Sequence, residues 1–380
     1  MTSEERQSYV AGMLRRRVEA VYPSEKEVAV RLAGAERLTI YLGIDPTGAE
    51  IHLGHTIPLL LLKELFALGH DAVLLIGDFT ARIGDPTGKD AARVVLTPEQ
   101  IDQNMATYGE QAKKIIPETA FRIAYNSEWL GALNMEQILR LTSMVTVQQM
   151  LQRDMFQVRQ KEGRPIYLNE FLYPLMQGYD SVALRTDGEI GGNDQTFNML
   201  MGRELERELL GKDKFVITTK LLVDVATGRK MSKSEGALIA INDSAQEIRR
   251  KILAVDDGMI KTIFELCTEK NQEWISQRQA MVDAGENPKQ FKEELAAELI
   301  QMYHGSEAVG QADQAIEIRQ TGSLEQVLKE SGLVSSLGEA KRLVGQGAVQ
   351  VNGERVERWD IIIQIGDEIR VGKGKFVRVV

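Results

Sequence analysis

His52 and His55, with Gly54 between them, stand three residues apart just before the apolar run IPLLLLKELFAL. At that spacing, on the first turn of a helix, both imidazoles share a face and can donate hydrogen bonds to phosphate oxygens as charge develops in a transition state. The unpaired N–H groups and positive dipole end of a helix start favour the same anion. Gly54 withholds a side chain where a flat ring or a phosphate would come close. The plainer reading is that the two histidines cap the helix or pair by chance; zinc is disfavoured, because no third Cys or His ligand stands nearby. A second cationic pair, Lys230 and Lys233, lies in Lys230-Met231-Ser232-Lys233-Ser234 between Gly228 and Gly236. Such a segment can bring two ammonium groups onto a polyphosphate and neutralise leaving-group charge, or it is a solvated basic turn. Tyr173, Gln177 and Asp180 are spaced four and three, so on a helix they share one face, either lining a pocket or forming a structural hydrogen-bond cluster. The run GDPTGK at 84–89 is not a Walker loop: the offset before Gly88 falls on Ile83, and Lys89 is followed by Asp90.

The elements that must position these groups alternate. RLTIYLGI (37–44), AVLLIGD (72–78) and FRIAYN (121–126) read as strands, and IPLLLLKELFAL (57–68) and TPEQIDQNMATYGEQAKKI (97–115) as helices. Strand, helix, strand at this spacing implies βαβ units and a parallel sheet, with ligands at the carboxyl ends of its strands. Residues 1–20 read as a peripheral helix. From 242 to about 320 the pattern is helical and charged, without a β-branched interruption. From 322, two short helical stretches lead into strand-like runs, and Asn352-Gly353 between two of them signals a hairpin. The fold class expected is therefore α/β: a Rossmann-like parallel-sheet domain over 1–241, an α-helical domain over 242–321 and a small α+β module over 322–380.

The 380 residues suit two or three domains at about 100–200 residues each. Forty-three per cent hydrophobic and 27 per cent charged residues exclude a disordered or fibrous chain. The net charge of −9 argues against a polyanion as partner when taken in bulk, yet residues 1–321 carry minus ten and 322–380 plus one. A single cysteine, Cys267, cannot form an intrachain disulfide, and no uncharged apolar run nears the roughly 20 residues that span a membrane. The stretch MTSEERQSYV has no apolar core of a signal peptide. A cytoplasmic protein with no membrane association is expected.

His52-Leu53-Gly54-His55 resembles the HIGH signature of class I aminoacyl-tRNA synthetases, which cofactor-making nucleotidyltransferases share. Lys230-Met231-Ser232-Lys233-Ser234 matches the KMSKS signature, which selects the synthetases. Together with Tyr41-Leu42-Gly43-Ile44-Asp45-Pro46-Thr47, Ile83-Gly84-Asp85-Pro86-Thr87-Gly88, Tyr173 to Asp180 and Gly191-Gly192-Asn193-Asp194-Gln195, the chain is similar through nearly its whole length to the bacterial tyrosyl-tRNA synthetase family. The departures are Leu53 in place of Ile and Asn193 within the GGxDQ run. The resemblance implies that Tyr41 and Asp180 bind the substrate's phenol hydroxyl, that Asp85, Tyr173 and Gln177 hold its ammonium group, and that Gly43, Asp45 and Gln195 complete the tyrosine site. It implies that Asp194 takes the ATP ribose over Gly191 and Gly192. Thr47, His52, Gly54, His55, Lys230, Lys233 and Ser234 would bind ATP, with Lys89 and Arg93 assisting the phosphates. His52, His55, Lys230, Lys233, Lys89 and Arg93 would form the catalytic set, with Mg²⁺ carried on ATP and no resident metal. A tryptophan-specific relative is disfavoured by Tyr41 and Asp180, since indole has no hydroxyl. The partners implied are L-tyrosine, ATP and tRNA(Tyr), with an S4-like RNA-binding tail over 322–380 and a homodimer. The apolar stretch Met135, Ile138, Leu139, Leu141, Met144, Val145, Met150, Leu151, Met155 and Phe156 is either the subunit interface or core.

Overall fold

The computed structural model describes residues 1–87, 96–223, 238–311, 316–318, 321–331, 333–334, 336–372 and 375–379. Six strands, β1 (Val18–Tyr22), β2 (Thr39–Ile44), β3 (Asp71–Ile76), β4 (Arg122–Tyr125), β5 (Gly188–Gly192) and β6 (Phe215–Thr219), form one sheet in the order β1-β6-β5-β2-β3-β4. All adjacent pairs from β6 to β4 are parallel, and β1 joins antiparallel at the edge of β6. β2 and β3, predicted from their apolar runs, are largely buried, as is β6, as a parallel sheet covered by helices requires, whereas β4, predicted with them, stands at the sheet edge with Arg122 and Tyr125 exposed. β2 is hydrogen-bonded to β3, which follows it, and to β5, which comes some 150 residues later. The connections therefore reverse direction between β2 and β5, opening a crevice at their carboxyl ends.

Two helices complete that crevice. Leu53–Ala67 follows β2 and buries Leu59, Leu60, Leu61, Leu62 and Leu65. Leu168–Leu184 runs before β5 and crosses Thr196–Leu210 closely: a Cβ on Gly178 would lie 3.1 Å from the Gly202 nitrogen. Glycine at both crossing positions lets the two backbones meet there.

The helices Ala245–Ala254, Ile260–Cys267, Gln272–Asp283 and Pro288–His304 pack into the same hydrophobic cluster as the sheet, which runs from Val10 to Tyr303. Thr56 Oγ1 is hydrogen-bonded to the Tyr303 hydroxyl at 2.8 Å, and Cys267 Sγ donates to the Leu53 carbonyl at 3.6 Å. The tail has its own cluster, Leu324 to Val379. Its sheet has the order β10-β9-β12-β13-β7, with β7 Ile316–Ile318, β9 Val349–Val351, β10 Glu354–Arg355, β12 Glu368–Val371 and β13 Lys375–Val379; β8 (Gly322–Ser323) pairs with β11 (Ile362–Ile363). The predicted hairpin is there: Val351 pairs with Glu354, and Asn352 and Gly353 both take positive φ, as a two-residue turn of this hand needs.

Four details depart from the sequence reading. The first helix stops at Arg17, and Val18–Tyr22 is a strand. The span 97–115 is two helices, Pro98–Met105 and Tyr108–Lys113. Ile316–Ile318, within the expected helical run, is a strand of the tail sheet paired parallel with β13. The apolar stretch divides, with Leu141, Met150 and Phe156 buried while Met135 and Leu139 are more than half exposed.

Candidate functional site

Tyr41, Gly43, Asp45 and Thr47 come from β2 and the turn after it, so they open into the crevice at the strand's carboxyl end. The turn is held from outside: Asn104 donates to the Pro46 carbonyl, the Tyr108 hydroxyl to that of Gly48 and Gln111 to that of Ala49. His52 is the N-cap of the next helix, and its Nδ1 accepts from the Gly54 N–H at 3.1 Å. His55 Nδ1 accepts from the His52 N–H at 3.2 Å, and the two ring centroids stand 3.9 Å apart. Capping therefore leaves each ring a second role: with both Nδ1 atoms used as acceptors, a neutral ring carries its proton on Nε2 as a donor. The histidine turn is also tied to the chain beyond β6, since Leu53 N–H donates to the Ile239 carbonyl and Ile241 N–H to that of Ile51.

Tyr173, Gln177 and Asp180 share the face of Leu168–Leu184 that the spacing predicts, and each meets a different part of the site. The Tyr173 hydroxyl donates to Asp45 Oδ2 at 2.9 Å, and Thr80 Oγ1 donates to Asp45 Oδ1 at 2.7 Å. Asn126 Nδ2 donates to Thr80 Oγ1 at 3.0 Å and to Asp180 Oδ2 at 3.2 Å, which closes a circuit back to the helix. Trp129 Nε1 donates to the other Asp180 oxygen at 2.8 Å. Burial holds the Asp180 carboxyl well above the usual carboxylate range, although the Trp129 and Asn126 donors pull it down. Gly77 gives the circuit its room, because a Cβ there would lie 2.0 Å from Asp45 Oδ1.

Beside this circuit, the fully buried Tyr41 hydroxyl is hydrogen-bonded to Ser181 Oγ at 2.9 Å. Burial raises its phenol well above the ordinary value, with the nearby Glu189 and Asp180 charges acting in the same direction. Lys214 Nζ donates to Ser181 Oγ at 2.5 Å and pairs with Glu189. Gln177 Nε2 donates to Glu189 Oε1 at 3.4 Å, while Gln177 Oε1 is buried with no hydrogen-bond partner among the described residues. A buried acceptor left in this state favours an N–H donor from outside the chain.

Asp85 accepts from the Thr87 N–H at 2.9 Å and from Gln195 Nε2 at 2.8 Å, so the turn after β5 is bound to the loop after β3. Gly191 and Gly192 end β5; a Cβ on Gly192 would lie 2.5 Å from Asp194 Oδ1, so glycine lets Asp194 fold back over the strand end. Arg153 reaches in from a separate helix start, donating to Thr87 Oγ1 at 2.7 Å and lying over the Phe197 ring at 4.6 Å. Burial lowers its pKa to about 10, opposed by Asp85 and Tyr173. Lys89, Arg93, Lys230, Lys233 and Ser234 lie outside the described residues.

Sequence reasoning missed Thr80, Asn126, Trp129, Arg153, Ser181, Glu189 and Lys214. Asn126 ends a run read as a strand and Ser181 follows Asp180, so those two were signalled by position. For Lys214 nothing local signals burial.

The family model described as tRNA synthetases class I (W and Y) matches residues 33–319, and the S4 domain model matches residues 323–369. A tyrosine–tRNA ligase 2 of Vibrio cholerae serotype O1 is 41% identical over 383 residues, covering 96% of this chain and 97% of that protein. A tyrosine–tRNA ligase of Carboxydothermus hydrogenoformans is 39% identical over 397 residues, covering 97% of each chain. Among solved structures, the tyrosyl-tRNA synthetase complexed with L-tyrosine from Archaeoglobus fulgidus is similar in fold, with a TM-score of 0.64 at 23% identity over 82% of this chain and 100% of that one.

Proposed function

This chain belongs to the class I tRNA synthetases of the tryptophan and tyrosine family, and we propose that it is a tyrosine–tRNA ligase. The observation that carries the choice of amino acid is the pairing of Tyr41 and Asp180, a buried hydroxyl and a buried carboxyl at the inner end of the crevice. A phenol can accept from the Tyr41 O–H and donate to the Asp180 carboxyl, whereas phenylalanine makes neither contact and still displaces water from both. The ammonium group then meets Asp85, Tyr173 and Gln177, whose Oε1 is the unpartnered acceptor. Gly43, Asp45 and Gln195 line the same cleft.

ATP is the second substrate, bringing Mg²⁺ with its phosphates. Thr47, His52, Gly54 and His55 face the phosphates, and Gly191, Gly192 and Asp194 take the nucleoside. For Lys89, Arg93, Lys230, Lys233 and Ser234 the sequence pattern carries the assignment to the phosphates. The substrate carboxylate attacks the α-phosphorus and pyrophosphate leaves, giving tyrosyl-adenylate. A ribose hydroxyl of the terminal adenosine of tRNA(Tyr) then attacks the carbonyl carbon and AMP leaves. No side chain becomes a covalent nucleophile: the chain aligns the reactants and the His52 and His55 Nε2–H donors meet charge growing on the phosphate oxygens.

The division into 1–241, 242–321 and 322–380 gives the catalytic, anticodon-side and RNA-binding parts, with β7 lent to the tail from the middle one. The exposed apolar side chains of Met135, Leu139, Val147 and Leu168 support a homodimer that covers them. No helix among the described residues is long and apolar enough to cross a membrane, and a buried free Cys267 suits the cytoplasm. ATP–pyrophosphate exchange with each of the twenty amino acids tests the activity: only tyrosine should support it, and exchange with tryptophan instead would overturn the reading.

A further inference from the structure

We propose that the buried Glu189–Lys214 pair is a positioning element for amino-acid recognition: through Ser181 it sets the direction of the Tyr41 hydroxyl, and through Glu189 it sets that of the Gln177 amide. The inference deepens the ligase reading and rests on it. Lys214, Ser181 and Tyr41 are all fully buried and follow one another at 2.5 and 2.9 Å. A hydroxyl oxygen that accepts from an ammonium is polarised, which makes its own O–H a stronger donor. Directed at the Tyr41 oxygen, that proton leaves the Tyr41 O–H to turn away from Ser181, as a donor to an incoming phenol oxygen. At the other end of the pair, Glu189 Oε1 accepts from Gln177 Nε2, which commits the amide nitrogen and presents the unpartnered Oε1 as acceptor for an ammonium group.

The fold makes room for this contact. A Cβ on Gly202 would lie 2.7 Å from both Lys214 Nζ and Ser181 Oγ, so the ammonium reaches the serine through space that only glycine leaves. An ion pair buried this deeply is no economical route to stability, because well-packed apolar residues often do as well. What it supplies here is orientation at the two ends of one substrate.

The test is a double-mutant cycle between Tyr41→Phe and Ser181→Ala, read by pyrophosphate exchange with tyrosine and with phenylalanine. Ser181→Ala should raise the tyrosine KM about tenfold, narrow the tyrosine-over-phenylalanine ratio and leave kcat within about twofold. In the Tyr41→Phe background it should add nothing, because the hydroxyl it orients is gone. An unchanged KM in the single variant, or an equal increment in both backgrounds, overturns the proposal. Lys214→Met should shift the tyrosine KM in the same direction, and a wild-type KM in that variant also overturns it. The Ser181 cycle removes a single oxygen and decides the matter whether or not the Lys214 variant folds. Wild-type enzyme is the control that separates the two readings: absence of tyrosine-dependent exchange there removes the ligase assignment, whereas exchange with an additive Ser181 effect removes only the positioning role.

Discussion

Asp180, Glu189 and Glu206 are buried carboxyl groups held by different means. Asp180 has two N–H donors and Glu189 has Lys214, but neither oxygen of Glu206 has a hydrogen-bond partner among the described residues. Burial raises Glu206 to about 7, with Lys214 and Lys212 pulling the other way. A carboxyl with a raised folded-state pKa holds a proton that the unfolded chain has released. Its contribution to stability is complete below the ordinary glutamate value of 4.5 and is lost as pH rises towards about 7. Glu206→Gln should therefore raise Tm at pH 8, with the gain shrinking towards pH 5; scanning calorimetry at the two values checks it, and an equal gain at both would contradict the assignment. Gln177→Met should raise the tyrosine KM about tenfold in pyrophosphate exchange while the KM for ATP holds, since the substrate ammonium loses an acceptor. The helix-face spacing of Tyr173, Gln177 and Asp180 is legible in the sequence. The burial of Lys214 is not, because a lysine is by default a surface residue and only the crossing of two glycine-bearing helices makes a place for this one.

At the scale of elements, that crossing is a close backbone approach that sets the pocket helix. A Cβ on Gly178 would meet Leu205 Cδ1 at 3.0 Å and the Gly202 backbone at 3.1 Å, so Gly178→Ala must push the helices apart. The expected result is a loss of about 1–3 kcal/mol in chemical denaturation together with a raised tyrosine KM, because Gln177 and Asp180 flank the shifted residue. A stable variant with unchanged KM would show that the pocket tolerates the movement. The parallel strands were readable from their apolar runs, and the Asn352-Gly353 hairpin from its turn chemistry. Val18–Tyr22 was not, since it is short, carries a charge and exists through antiparallel pairing with a strand about 200 residues away. Ile316–Ile318 is hidden for the same reason: three residues of a charged run become a strand only where β13 lies beside them.

At the scale of the whole molecule, there are two principal cores to either side of residue 311, one from Val10 to Tyr303 and one from Leu324 to Val379. Truncation after Gln311 should leave pyrophosphate exchange within about twofold of the full chain and abolish charging of tRNA(Tyr), measured with labelled tyrosine. A cut at 322 instead would leave β7 without its sheet, as an unpaired edge segment liable to associate. The slightly basic tail against an acidic body explains why bulk charge concealed an RNA partner: the sum averaged two surfaces with opposite tasks. The hydrogen bond from Thr56 to Tyr303 and the thiol of Cys267 against Leu53 have a different bearing, on exchange between relatives. A tail could be transplanted from one such enzyme to another at a clean seam. The helical segment could not, because its inner surface is moulded to the helix that bears the two histidines, and a chimaera would have to carry both halves of that fit together.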